Sequence, residues 1–189
     1  MTRATLIGIA TAAVVTAAVV LYAAPLQAQG PQRQRGPVID GYGGTFDVPA
    51  GSLMPRLDLD YRVAFDVGTA ADDPKAVNPK IDAVARFLNM HARAGVPRER
   101  LQAALVIHSP GAKDAIDHSA YRERFGVDNP NLPLLEALAA AGVRIYVCGQ
   151  SLASRGFGFA HVGAPVTVAL SAMTAHHLLR AEGYAVNPF

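Results

Sequence analysis

A single cysteine, Cys148, closes the apolar run Val143-Arg144-Ile145-Tyr146-Val147 and directly precedes Gly149-Gln150-Ser151-Leu152-Ala153-Ser154-Arg155. If a short helix opens near Ser151, as the tight turn allowed by Gly149 predicts, the thiol meets free backbone N–H groups, whose dipoles favour thiolate over thiol. Arg155, a turn further on, is a candidate stabiliser of that anion. Two readings stand for Cys148: a nucleophile with a lowered pKa, or a small hydrophobe that ends a strand. Because it is the only cysteine, no intramolecular disulfide can form, and a lone thiol is inert, paired with another chain, or chemically employed.

The six histidines are His91, His108, His118, His161, His176 and His177. His108 ends a second apolar run, residues 103–108, where an imidazole can assist the Cys148 thiolate or shuttle a proton. His91 falls near the end of a helix, and the helix dipole accounts for it. His176 and His177 are adjacent on a helix and point to different sides. None of the six forms the i, i+4 set or the close Cys/His pair that zinc uses, so no metal is expected. A metal set of His108, His118 and Cys148 is the weakest of the readings. Gly68-Thr69-Ala70-Ala71 has the glycine spacing of neither a P-loop nor a dinucleotide fold. Asp66, Asp72 and Asp73 nearby would repel a flavin phosphate, so no cofactor is expected.

These groups have to be positioned by the elements around them. Residues 61–67 read as a strand from their β-branched and aromatic content. A helix follows, with Asn78 as its cap, Pro79 in its first turn, Ile81, Val84, Ala85, Leu88 and Ala92 on one face, and Gly95 at its end. The near-continuous apolar run 103–108 reads as a strand buried on both faces. A long polar stretch then leads to a helix over 132–141, with Asn131 as candidate cap and Gly142 as stop. A third strand spans 143–148, a fourth 164–170, a helix about 171–182, and a last short strand 184–186. Alternating strands and helices through 61–189 predict a single doubly wound α/β domain with a mainly parallel sheet. In such sheets ligands gather beyond the carboxyl ends of the strands, which is where residues 66–69, His108 and Cys148 fall.

The chain has 189 residues, 51% hydrophobic, with 17 Lys+Arg against 15 Asp+Glu. That charge balance offers nothing to track phosphates, so nucleic acid is excluded as a partner. No charged residue occurs between Ala4 and Gln32, and residues 6–24 are apolar or small throughout. Residues 1–28 therefore have the layout of a secretory signal peptide, or of an uncleaved anchor, the only route by which a membrane becomes a partner. The working compartment is then periplasmic or extracellular. Residues 29–60 hold 6 Gly and 4 Pro and read as a loop-rich arm that lies over the domain or over a neighbouring subunit.

The segment Ala141-Gly142-Val143-Arg144-Ile145-Tyr146-Val147-Cys148-Gly149-Gln150-Ser151 resembles the DsrE/DsrF-like family. So do Asn129-Pro130-Asn131, Ser171-Ala172-Met173-Thr174-Ala175 and the tail from Gly183 to Phe189. The likeness covers about residues 60–189 and is nearest to an exported branch with a Val-Cys-Gly-Gln turn. It implies a flavodoxin-like α/β fold, assembly into trimers or hexamers, and, at Cys148, sulfur carried as a persulfide. On that reading the protein is a sulfurtransferase or sulfur carrier: Cys148 accepts sulfane sulfur and passes it to another thiol, with His108 and Arg155 as candidate assistants. The donor and acceptor are unspecified. The alternative is a non-catalytic oligomeric module for small-ligand binding or assembly, with a buried, unreactive thiol.

Overall fold

The computed structural model describes residues 32–188; the expected signal peptide of residues 1–28 lies outside them. Five strands form one sheet: β1 (Tyr61–Val67), β2 (Leu101–Ile107), β3 (Arg144–Cys148), β4 (Thr167–Ala169) and β5 (Ala185–Asn187). Their order is β4-β3-β2-β1-β5, and every neighbouring pair is parallel. The fold is thus α/β and flavodoxin-like, with a sheet that is wholly parallel where sequence predicted mainly parallel.

Five helices join the strands: α1 (Pro79–Arg93), α2 (His118–Phe125), α3 (Leu132–Ala140), α4 (Gly149–Ser154) and α5 (Ala172–Ala181). α1 starts as its sequence requires, with the Asn78 side chain accepting from the Lys80 N–H and proline in the first turn,. Strand residues alternate between faces. Phe65, Val67, Leu105, Ile107, Ile145 and Val147 point to one side and pack with α1 and α3 in the main core. Ala64, Ala104 and Val106 point to the other, where Ala175 and Leu179 of α5 cover them. A single helix therefore roofs the second face, and it leaves Val168, Leu170, Met173, Leu178 and Val186 exposed.

Three expectations need correction. The polar stretch after β2 holds a 3-10 segment, Ser109–Ala115, and the whole of α2. The fourth strand is only Thr167–Ala169, because an exposed edge strand has one neighbour to pair with,. Asn131 does not cap α3 with its side chain. Its Oδ1 instead accepts from the Asn78 N–H at 2.7 Å, and Asn129 Oδ1 accepts from its own N–H at 3.0 Å. It thus ties two loops together. The fully buried Asp114 joins this network, accepting from Asn78 Nδ2 at 2.7 Å and from Lys113 Nζ at 3.1 Å.

The Gly/Pro-rich segment preceding β1 lies against α1. Gln34 and Thr45 exchange two backbone hydrogen bonds, 2.8 and 2.7 Å. The buried Asn89 of α1 reaches into the turn between them. Its Oδ1 accepts from the N–H of Val38 at 3.0 Å and of Ile39 at 2.8 Å, and its Nδ2 donates to the carbonyls of Ile39 and Tyr42. Ile39 itself is buried in the main core.

Candidate functional site around Cys148

Cys148 is the last residue of β3 and the N-cap of α4, in extended backbone at φ −69° and ψ 115°. A helix can begin immediately because residue 149 is glycine: a Cβ there would lie 2.9 Å from the Ala169 carbonyl oxygen. The thiol is free, and the residue is 5% exposed. Burial alone raises its pKa. The hydroxyl of Ser151 and the backbone N–H groups of Ser151, Ala172 and Gln150 outweigh that effect, and together they hold the thiol below its ordinary value,. Two of those N–H groups open α4 and one opens α5. The sulfur sits where two helix starts meet, and the arrangement favours thiolate over thiol,.

The Ser151 hydroxyl is oriented from a third segment. Ser109 donates its N–H to Ser151 Oγ at 2.9 Å. To do so Ser109 adopts a left-handed backbone, φ 51°, alone among the described non-glycine residues. Such a conformation costs about 1–2 kcal/mol, and it is held here by the groups on either side.

His108 stands beside this site. The register pairs Ile107 with Val147, so His108 lies level with Cys148, one strand spacing of about 4.8 Å away and on the same face. Its ring lies over Gly68, where a Cβ would come within 2.8 Å of the imidazole. Nδ1 is 3.0 Å from Ser109 Oγ and Nε2 is 2.9 Å from Asp66 Oδ1. The same Asp66 oxygen is 2.7 Å from Nε2 of His176 on α5. Sequence reasoning placed Asp66 and His108 at strand ends and set His176 aside only as a joint metal ligand with His177. The partner of His176 is 110 positions away, and no local spacing reveals that.

Arg155 caps the far end of α4, is exposed, and offers its carbonyl to Arg124 Nη1. The groups that donate to the sulfur are Ser151, Ala172 and Gln150, and Arg155 is not among them. His118 opens α2, where its Nδ1 accepts from the Asn129 N–H at 3.1 Å. Among the described residues no three His, Cys, Asp or Glu side chains converge as for a metal ion. A groove of about 690 Å³ lies elsewhere, between residues 45–61 and the last turn of α1, with Phe46, Leu53, Met54, Leu59 and Met90 in its lining. It shares no residue with the Cys148 site.

A family model described as the DsrE/DsrF-like family matches residues 62–188. Among solved structures, a protein of unknown function, MTH1491 from Methanobacterium thermoautotrophicum, is similar at 20% identity and a TM-score of 0.51. That similarity covers 69% of this chain and 100% of the other, and at such identity it bears on the fold. The ychN protein from E. coli, at 13% identity and a TM-score of 0.49, covers 68% of this chain and 99% of its own. No curated protein matches the chain.

Proposed function

The chain belongs to the DsrE/DsrF-like family, which associates it with sulfur-relay function, and from that premise we propose that Cys148 carries sulfane sulfur as a persulfide and hands it to another thiol. The observation that supports this most is the nest of one hydroxyl and three backbone N–H groups around a thiol held below its ordinary pKa. The thiolate attacks the outer sulfur of a donor, the donor's S–S bond breaks, and the electron pair leaves with the donor's inner sulfur. His108 stands level with the sulfur and assists from the neighbouring strand. We also place the protein outside the cytoplasm, in the periplasm or beyond, on the strength of the charge-free stretch between Ala4 and Gln32,. A homo-oligomer, trimeric or hexameric by family likeness, fits the apolar residues that α5 leaves exposed,.

Incubating the purified protein with a sulfane-sulfur donor and weighing it intact tests the reading. Parent protein gains the mass of one sulfur atom, and Cys148→Ser gains none. Equal gain in both, or none in either, overturns it.

The exposed side chains of Leu170, Met173 and Leu178 also favour a second reading, an assembly module whose 5% exposed cysteine is inert. Alkylation of the native protein at several pH values separates the two. A slow reaction with an ordinary or raised thiol pKa favours the module.

A further inference from the structure

Two imidazoles converge on one carboxylate oxygen at the carboxyl end of the sheet that holds Cys148. A carboxylate oxygen accepts hydrogen bonds, so His108 and His176 both donate Nε2–H to Asp66 Oδ1,. This leaves Nδ1 of each ring as the acceptor nitrogen. In His108 it accepts a hydrogen bond from the Ser109 hydroxyl. In His176 it is buried and has no partner, one of only two such side-chain atoms among the described residues. A histidine retained for packing and polar satisfaction alone would have both nitrogens matched.

His176 belongs to the helix whose first N–H reaches the sulfur. Ala172, whose N–H reaches Cys148, opens α5, and His176 follows it by four positions, one helical turn along the same face. Asp66, His108 and Cys148 come from three adjacent strand ends, and their side chains share the face that α5 covers. An acid–base group oriented by a carboxylate and set beside a nucleophile is the arrangement that general acid–base catalysis needs.

We propose that His176 is the proton donor to the sulfur that leaves when Cys148 is loaded, with Asp66 as the positioning residue that holds the ring and its charge. The inference rests on the persulfide reading above and names the donor class, an alkyl hydropersulfide R–S–SH. The Cys148 thiolate attacks the terminal sulfur, the Sγ–S bond forms and the donor's S–S bond breaks. The electron pair goes to R–S⁻, which takes from His176 Nδ1 the proton that Cys148 gave up on ionising, and departs as R–SH. The products are Cys148–S–SH and neutral His176. Sulfane sulfur moves between thiols with no net oxidation or reduction.

The test uses two donors that differ in their need for a proton. Glutathione hydropersulfide expels an alkyl thiolate, whereas thiosulfate expels sulfite, which is stable as an anion. Rates of sulfur loading are measured on full-length parent and on His176→Gln, whose amide can still donate to Asp66. The variant is expected to lose about a hundredfold with glutathione hydropersulfide and to stay within about threefold of parent with thiosulfate. Asp66→Asn keeps both rings and is expected to show the same donor-selective loss, which carries the test should His176→Gln fail to fold. Equal losses with both donors, or no loss with either, overturn the role of His176 while leaving the persulfide reading intact. A parent that loads from thiosulfate alone also overturns it. A parent that loads from neither donor overturns the persulfide reading and this one with it.

Discussion

Replacing Ser151 with alanine removes the one side-chain donor at the Cys148 sulfur and leaves the backbone N–H groups of Gln150, Ser151 and Ala172 in place. A hydrogen bond to a charged group contributes about 1.5–3 kcal/mol, and one pKa unit corresponds to about 1.4 kcal/mol. The thiol pKa should therefore rise by about 1–2 units. At a pH below both values the thiolate fraction falls by about ten- to a hundredfold. The assay is the rate of iodoacetamide alkylation across a pH series, which follows the thiolate. Parent and Ser151→Ala should reach comparable limiting rates at high pH, with the variant's midpoint displaced upward, and Ser151→Thr should restore the parent midpoint. A midpoint that moves by less than about 0.3 unit would show that the backbone N–H groups suffice. A lower limiting rate at an unchanged midpoint would show that Ser151 governs access instead. The variant also strips Ser109 N–H of its acceptor, so a stability loss of about 1–3 kcal/mol should accompany the shift in chemical denaturation.

The loops that carry the site respond to other changes. Asp117 caps α2, and hydrogen bonds from the Ser119 hydroxyl, the Ala120 N–H and His161 lower its pKa to about 2. A carboxylate depressed on folding contributes stability that is complete above its unfolded value, near 4, and is lost as the pH falls through its folded value. Thermal melts at stepped pH should thus show the parent weakening between about pH 4 and pH 2 and Asp117→Asn weakening less over that interval. Asp114→Ala deletes a buried carboxylate and leaves Asn78 Nδ2 and Lys113 Nζ short of an acceptor. It should cost about 3 kcal/mol or more in urea denaturation. Asn89→Ala frees the N–H groups of Val38 and Ile39 and the carbonyls they flank, and should cost about 2–4 kcal/mol. Limited proteolysis should then cut within residues 32–60 well before the sheet unfolds, and a digestion pattern like that of the parent would contradict the anchoring role of Asn89.

Much of the architecture was legible because local signals agreed with one another. Asn78-Pro79 at the start of α1 and the apolar runs that become β2 and β3 each carry their reason within a few residues. α2 was not legible, since His-Ser-Ala-Tyr-Arg-Glu-Arg-Phe buries only Tyr121 and has no apolar stripe,. Asn131 has the right type and place for a cap, but the buried N–H of Asn78 competes for its oxygen and wins,. At the site, Cys148 stands out as the one cysteine at a strand end, and His108 follows from register. His176, Asp66 and Ser109 acquire meaning only through contacts made across 42 to 110 positions.

The sulfur's surroundings are drawn from places far apart in the chain. Gln150 and Ser151 belong to the turn itself, Ala172 to the start of the next crossover, and the group that aims the Ser151 hydroxyl to the loop after β2. The Val-Cys-Gly-Gln turn is for that reason not a portable module. Grafted onto another scaffold together with Ser151, it would bring the N–H groups of Gln150 and Ser151 but neither that of Ala172 nor an oriented hydroxyl. An engineer wishing to transplant this thiol's surroundings would have to move the junction of three connections, and exchange of the turn alone should yield cysteines of ordinary pKa.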